Sequence, residues 1–299
     1  MLKRTLKLIK YDLIAMIKYW WVIALITPVF AVVSGGLFRG MTETFESLAS
    51  PNMDGTLFAF TLLFGMAEMA GAYVSSIVFG ATFFASMVLI FIRFFKHFYT
   101  DEGYLTFTLP VSRRELYLSK VISSMVIVLA QAALMFVGTA LLVVIAPPSD
   151  SVVWLFDPQI WKNLSYVMNS WQAWGNLALI LVNLGIGGVA VLGSLFTELT
   201  LLHFCITLGS VIVKRGKVFA AIGCWYLISN IFSGMLSALY YAMYFLVIAS
   251  SSFIFELSIT MVLVVCIPLL LMVTAMFWTF GFLFYNFTQT LIDKKLNLA

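Results

Sequence analysis

Two side chains in the second half of the sequence have the chemistry to move a proton. They are the carboxyl of Glu198 and the imidazole of His203, both set in a long apolar run. A carboxylate surrounded by lipid is costly, so Glu198 is expected to face a neighbouring helix, a watery cavity or a partner group. Five residues of helix rotate His203 about 140° from Glu198, at ~100° per residue, so the two do not share a face. Two readings of Glu198 stand side by side: a protonated group bonded to a neighbouring helix, or a polar group on a transport path. The only other histidine is His97. There is no HExxH, no GxSxG and no acidic pair on one helical face, so the usual hydrolytic constellations lack their parts. The nearest glycine–lysine pair is Gly216-Lys217, with no glycine five residues earlier. A nucleotide-binding P-loop is therefore absent, and no metal site is expected.

The stretch YTDEGYLTFTLPVSRRELYLSK, residues 99–120, is the least apolar segment in the middle of the chain. It carries Asp101, Glu102, Arg113, Arg114, Glu115 and Lys120, with Lys96 just before it. Asp101 and Glu102 suit the positive N-terminal end of a short helix. Gly103 loosens the chain there. Leu105 and Leu109, four apart, fall on one side of that helix, and Pro110 stops it. Ser112 and Glu115 then form a capping box that starts the next helix. The spacing predicts a short helix, a proline break and a capped helix, held at the membrane surface by Arg113 and Arg114. The Leu105–Leu109 edge lies outside every apolar span and must be covered by a partner or by the membrane.

The elements that position this island are read from composition. Of 299 residues, 63% are hydrophobic and only 10% charged. A soluble globular surface needs roughly 25% charged residues, so lipid must solvate most of this one. A bilayer core takes about 20 apolar residues of helix. Six stretches satisfy this, at about 19–38, 72–95 (with an apolar prelude at 57–71), 118–146, 176–213, 217–249 and 257–288. Pro147-Pro148 ends the third. The expected fold is an all-α integral membrane protein of six transmembrane helices. Fifteen of the seventeen Lys and Arg fall in the terminal and even-numbered connecting segments, leaving Arg39 and Lys162 on the opposite side. The positive-inside rule then places both termini in the cytoplasm. The net charge of +4 is read as this topology signal and not as a nucleic-acid surface.

Before span one, Leu2, Leu6, Ile9, Leu13 and Ile17 recur at helical steps while Lys3, Lys7, Lys10 and Lys18 fall elsewhere on the wheel. Residues 1–18 therefore read as an amphipathic interface helix rather than a cleaved leader. The loop 147–175 holds Trp154, Trp161, Trp171 and Trp174, which suit an interfacial belt of short helices on the outer leaflet. Gly185, Gly187, Gly188 and Gly193 make span four the candidate packing or dimer face. Cys205, Cys224 and Cys266 lie in apolar runs without CxxC spacing and read as small apolar residues.

EGYLTFTLPVSRRELYLSK resembles the "EG…T…LPVSR…L…SK" pattern of the permeases of type-2 ABC exporters, the ABC-2-type family. Glu102, Gly103, Leu109, Pro110, Ser112 and Lys120 are the matching positions. The resemblance implies a permease subunit of the bacterial cytoplasmic membrane. It would form the substrate path for a peptide, drug or lipid. Residues 99–110 would be the cytoplasmic coupling helix, docked on a separate ATPase subunit that binds ATP and Mg. A second permease chain, as homodimer or heterodimer, would complete the path. The chain itself would be no enzyme and would hold no cofactor. It departs from the family between the last two spans, where re-entrant outer helices are expected. The link here is only about 250–256, unless span five breaks near Ser233-Gly234. The rival readings from other classes are a stand-alone channel or proton-coupled carrier using Glu198, and a membrane scaffold without transport.

Overall fold

The computed structural model describes residues 2–48, 55–100, 103, 108, 111–146, 162, 171–213, 215–251 and 259–295. Six long helices account for nearly all of them: α1 (Leu2–Leu48), α2 (Gly55–Tyr99), α3 (Arg113–Ile145), α4 (Trp171–Ile212), α5 (Lys217–Ser251) and α6 (Ile259–Lys295). No strand occurs among the described residues. Each helix is long and apolar enough to cross a membrane, and the protein is of the multi-pass helical class. In lipid every backbone N–H and C=O must bond within its own segment, which is why such runs fold as unbroken helices.

The helices exceed the predicted spans. At 1.5 Å per residue α1 is ~70 Å long, more than twice a ~30 Å bilayer core. No helix boundary separates residues 2–18 from span one, so the leader is the first part of α1 and not an element of its own. The prelude 57–71 likewise belongs to α2. Residues 171–175, assigned to the outer loop by sequence, open α4 instead, so Trp171 and Trp174 belong to a helix. Trp154 and Trp161 lie outside the described residues. α3 ends at Ile145, two residues before Pro147, as the restriction on residues preceding proline requires. α5 runs unbroken through Ser233 and Gly234.

The chain divides into two compact units. The second comprises Lys10–Ile90 and Val126–Tyr166 and is built from parts of α1, α2 and α3. At its centre Gln131 is fully buried. Its amide nitrogen donates to the hydroxyls of Thr27 (3.0 Å) and Thr82 (3.3 Å), while Trp20 Nε1 donates to its oxygen at 3.1 Å. One side chain thus ties three helices together. Thr27 and Thr82 turn their own protons back to the carbonyls of Ile23 and Phe79, so every group at this node is satisfied. Nearby, Gly138 allows tight packing, since a Cβ there would stand 2.6 Å from the Phe79 ring. Ser34 and Ser76 share a 2.6 Å hydrogen bond, and Thr44 donates to Glu68 at 2.7 Å.

The first unit comprises Met1–Ile9, Phe91–Met125 and Val167–Ala299. Here α4 packs along both α5 and α6. At Gly209 the backbones of α4 and α5 approach so closely that a Cβ would lie 2.6 Å from the amide nitrogen of Ala221. Membrane helices associate through such small-residue contacts, because lipid removes the hydrophobic drive that packs helices in water. Thr197 spends its hydroxyl on the Phe277 carbonyl of α6, 2.6 Å away.

Candidate functional site

The polar island stands on the first unit, where the ends of α2, α3, α4 and α6 meet. Its predicted capping box is present. The amide of Glu115 donates to Ser112 Oγ at 3.2 Å, and the amide of Ser112 donates back to Glu115 Oε2 at 3.1 Å. Two donors at the start of α3 are satisfied reciprocally. Gly103 is buried, and its amide donates to the Thr100 carbonyl at 2.8 Å. A Cβ at this position would fall 2.9 Å from the carbonyl oxygen of Phe98, so only glycine fits without a shift. Asp101, Glu102, Leu105, Leu109 and Pro110, the other proposed partner-binding residues, lie outside the described residues.

Arg113 and Arg114, expected to hold the island at the membrane surface, both reach the end of α6. The guanidinium of Arg113 donates to the carbonyls of Ile292 (3.1 Å) and Asp293 (3.3 Å), in the last turn of α6. The unpaired carbonyls of a helix C-terminus attract a cation, and Arg113 supplies it. Arg114 Nε lies 3.9 Å from Asp293 Oδ2, with 77% of its side chain exposed. Such a long, solvated pair contributes little to stability.

Beneath the island is a platform of rings and hydroxyls. Phe94, Phe98, Tyr117 and His203 are fully or almost fully buried. His203 stacks on Phe94 with centroids 4.1 Å apart, and Tyr117 stacks on Tyr285 at 5.1 Å. Tyr99, at the end of α2, donates to Thr207 at 2.8 Å, and Thr207 donates in turn to the His203 carbonyl at 2.8 Å. Lys120, one of the charges of the island, is 6% exposed, with Nζ 3.4 Å from His97 Nδ1. Both ring nitrogens of His203 lack a hydrogen-bond partner among the described residues. The ring stacks on Phe94 and meets Tyr117 edge-on, with centroids 6.0 Å apart.

Glu198 is half-buried on α4 and makes no hydrogen bond or ion pair to any described residue, so the expected bond to a neighbouring helix is not found there. It and the fully buried His203 occupy different surroundings, in line with their angular separation. Of the four glycines singled out in span four, Gly193 meets α6, where a Cβ would stand 2.8 Å from Trp278 Nε1. Gly185, Gly187 and Gly188 have open space before them. The three cysteines are free thiols, Cys205 buried and the others half-buried.

Gln131 and Glu68 escaped the sequence analysis, although each is a strongly polar residue inside an apolar run. That isolation is the available signal. Among the described residues none form a group of three or more metal-ligating side chains. No protein-family model, curated protein or solved structure matches the chain.

Proposed function

We propose that this chain is the permease subunit of an ABC-type exporter. On this reading the segment 99–110 couples its six helices to a separate ATPase subunit, which supplies ATP and Mg chemistry. The observation that supports the reading is the island's mounting: its exit is fixed by a capping box and by the tie from Arg113 to the last turn of α6, so a push on it would be passed to both helices. The motif EGYLTFTLPVSRRELYLSK gives the same direction. The reading places the termini and the island in the cytoplasm of a bacterial cell. It pairs two such chains, or this one and a related permease, around the path. Closure of the ATPases on ATP would bias the pair between inward- and outward-facing states, through the difference in their contacts with the island in each. The cargo class it supports is a peptide, drug or lipid.

The test is co-purification of an ATPase with the tagged full chain, in wild type and in the double variant Leu105→Ala with Leu109→Asp. Truncating buried interface anchors costs more than ~1 kcal/mol each where a partner covers them. The double variant should insert normally, lose the ATPase and uncouple hydrolysis from transport. Unchanged capture and unchanged substrate-stimulated hydrolysis would remove the coupling role. A second reading, a carrier driven by protons, draws on the half-buried Glu198 without a bonded partner among the described residues.

A further inference from the structure

Two adjoining cavities of about 500 and 360 Å³ lie in the first unit and share Leu118, Ile122 and Tyr285 as a common wall. Together they form a trough along α3 and α6. On α3 it runs from Arg114 through Leu118 and Ile122 to Met125. On α6 it runs from Gln289 through Tyr285 and Phe282 to Trp278. Each wall covers twelve residues of helix, eleven rises of ~1.5 Å or about 16 Å. Half of a ~30 Å bilayer core is about 15 Å. The trough is therefore as deep as one leaflet.

Its chemistry is sorted along that depth. The mouth carries Thr5, Ser112, Arg114, Glu115 and Gln289. The lower part is walled by Val121, Met125, Phe196, Trp278 and Phe282, with no charged group. The indole nitrogen of Trp278 is already turned to the carbonyl of Val189, 3.3 Å away. At the mouth the one acid, Glu115, has a carboxylate oxygen engaged by the Ser112 amide. Arg114 is mostly exposed and only loosely paired with Asp293. The mouth thus offers a cation and neutral donors above an apolar slot, which is the complement of an anionic head on a hydrocarbon chain.

We propose that this trough holds an anionic phospholipid of the surrounding leaflet, its phosphate at Arg114 and one acyl chain lying between α3 and α6 down to Trp278. The site does not depend on an ATPase partner. The acyl chain would cover Leu118, Ile122 and Phe282, which are exposed in the chain itself. Leu6 and Ile9 of α1 flank the mouth, where they cover the first carbons of the chain.

The experiment reconstitutes the full chain in nanodiscs with phosphatidylglycerol or phosphatidylcholine carrying brominated acyl chains, at equal mole fraction. Bromine quenches tryptophan on contact, and the difference between wild type and Trp278→Phe isolates the Trp278 signal. Brominated phosphatidylglycerol should quench that signal more effectively than phosphatidylcholine by about five-fold, the preference expected for one basic residue at an anionic head. Arg114→Gln should bring the two lipids to parity, and Arg114→Lys should keep the preference. Arg114 is too exposed for either change to threaten folding. Equal quenching by both lipids in wild type, or a preference that survives Arg114→Gln, overturns the proposal. Failure of both lipids to quench Trp278 overturns it too, and assigns the trough to a protein segment such as a second copy of the chain.

Discussion

The guanidinium of Arg113, in the first turn of α3, donates to the carbonyl oxygen of Ile292, in the last turn of α6, at 3.1 Å. Residues 179 apart are joined at the point where one helix begins and another ends. Arg113→Ala should therefore destabilise both ends together, by about 1 kcal/mol for a cation removed from a partly exposed helix terminus. Thermal unfolding of the purified protein in detergent checks this. Arg113→Lys should recover only part of the loss, because an ammonium lacks the planar fork that spans two carbonyls. An unchanged melting temperature for Arg113→Ala would show that the tie carries no weight.

The capping box makes a sharper local prediction. Ser112→Ala removes the acceptor for the Glu115 amide and should cost about 1 kcal/mol, or roughly five-fold in the opening of the first turn. Hydrogen–deuterium exchange at the amides of residues 113–116 should speed up accordingly. Glu115→Gln keeps an acceptor for the Ser112 amide and should leave exchange close to wild type.

Helix packing in the first unit offers a contrast between two glycines on one helix. Gly209→Val places carbon against the backbone of Ala221 and should force α4 and α5 apart, at about 1–3 kcal/mol for overpacking. Gly185→Ala meets nothing within 4 Å and should leave the melting temperature of the monomer unchanged. If Gly185→Ala lowers the melting temperature as much as Gly209→Val, local space is not what governs tolerance on α4.

Glu198→Gln separates the two transport readings. An amide and a protonated carboxyl make similar hydrogen bonds, so assembly should survive the change. Under the permease reading transport survives as well. Normal expression and assembly with transport abolished would transfer the argument to the proton-coupled carrier.

The parts of this structure legible in the sequence are those set by neighbours along the chain. Ser112 and Glu115 are three apart, and the box they predict is present. Pro147 announces the end of α3 because the restriction it imposes falls on the residues just before it. Six apolar runs predict six helices because each run is its own solvent problem. What escaped was decided across the fold. Nothing local to Arg113 says that it also meets carbonyls 179 residues away. Nor does the charge of Lys120 say that the surrounding helices bury it. The helix lengths were missed for a related reason: polarity marks where a helix leaves apolar surroundings, not where its backbone stops. Residues 2–18 and 57–71 change in composition without any break in hydrogen bonding.

The Gln131 node also has a consequence for how the chain is made. Trp20, Thr27 and Thr82 are all synthesised before Gln131, and Thr27 and Thr82 can wait in lipid because each hydroxyl is returned to its own backbone. The Trp20 indole has no such refuge until the third helix leaves the translocon and brings the Gln131 oxygen to it. Until Gln131 is made, that indole lacks the acceptor it has in the folded chain, and the third helix supplies it. The node thus closes in the order of synthesis, with its last member the one that joins all three helices.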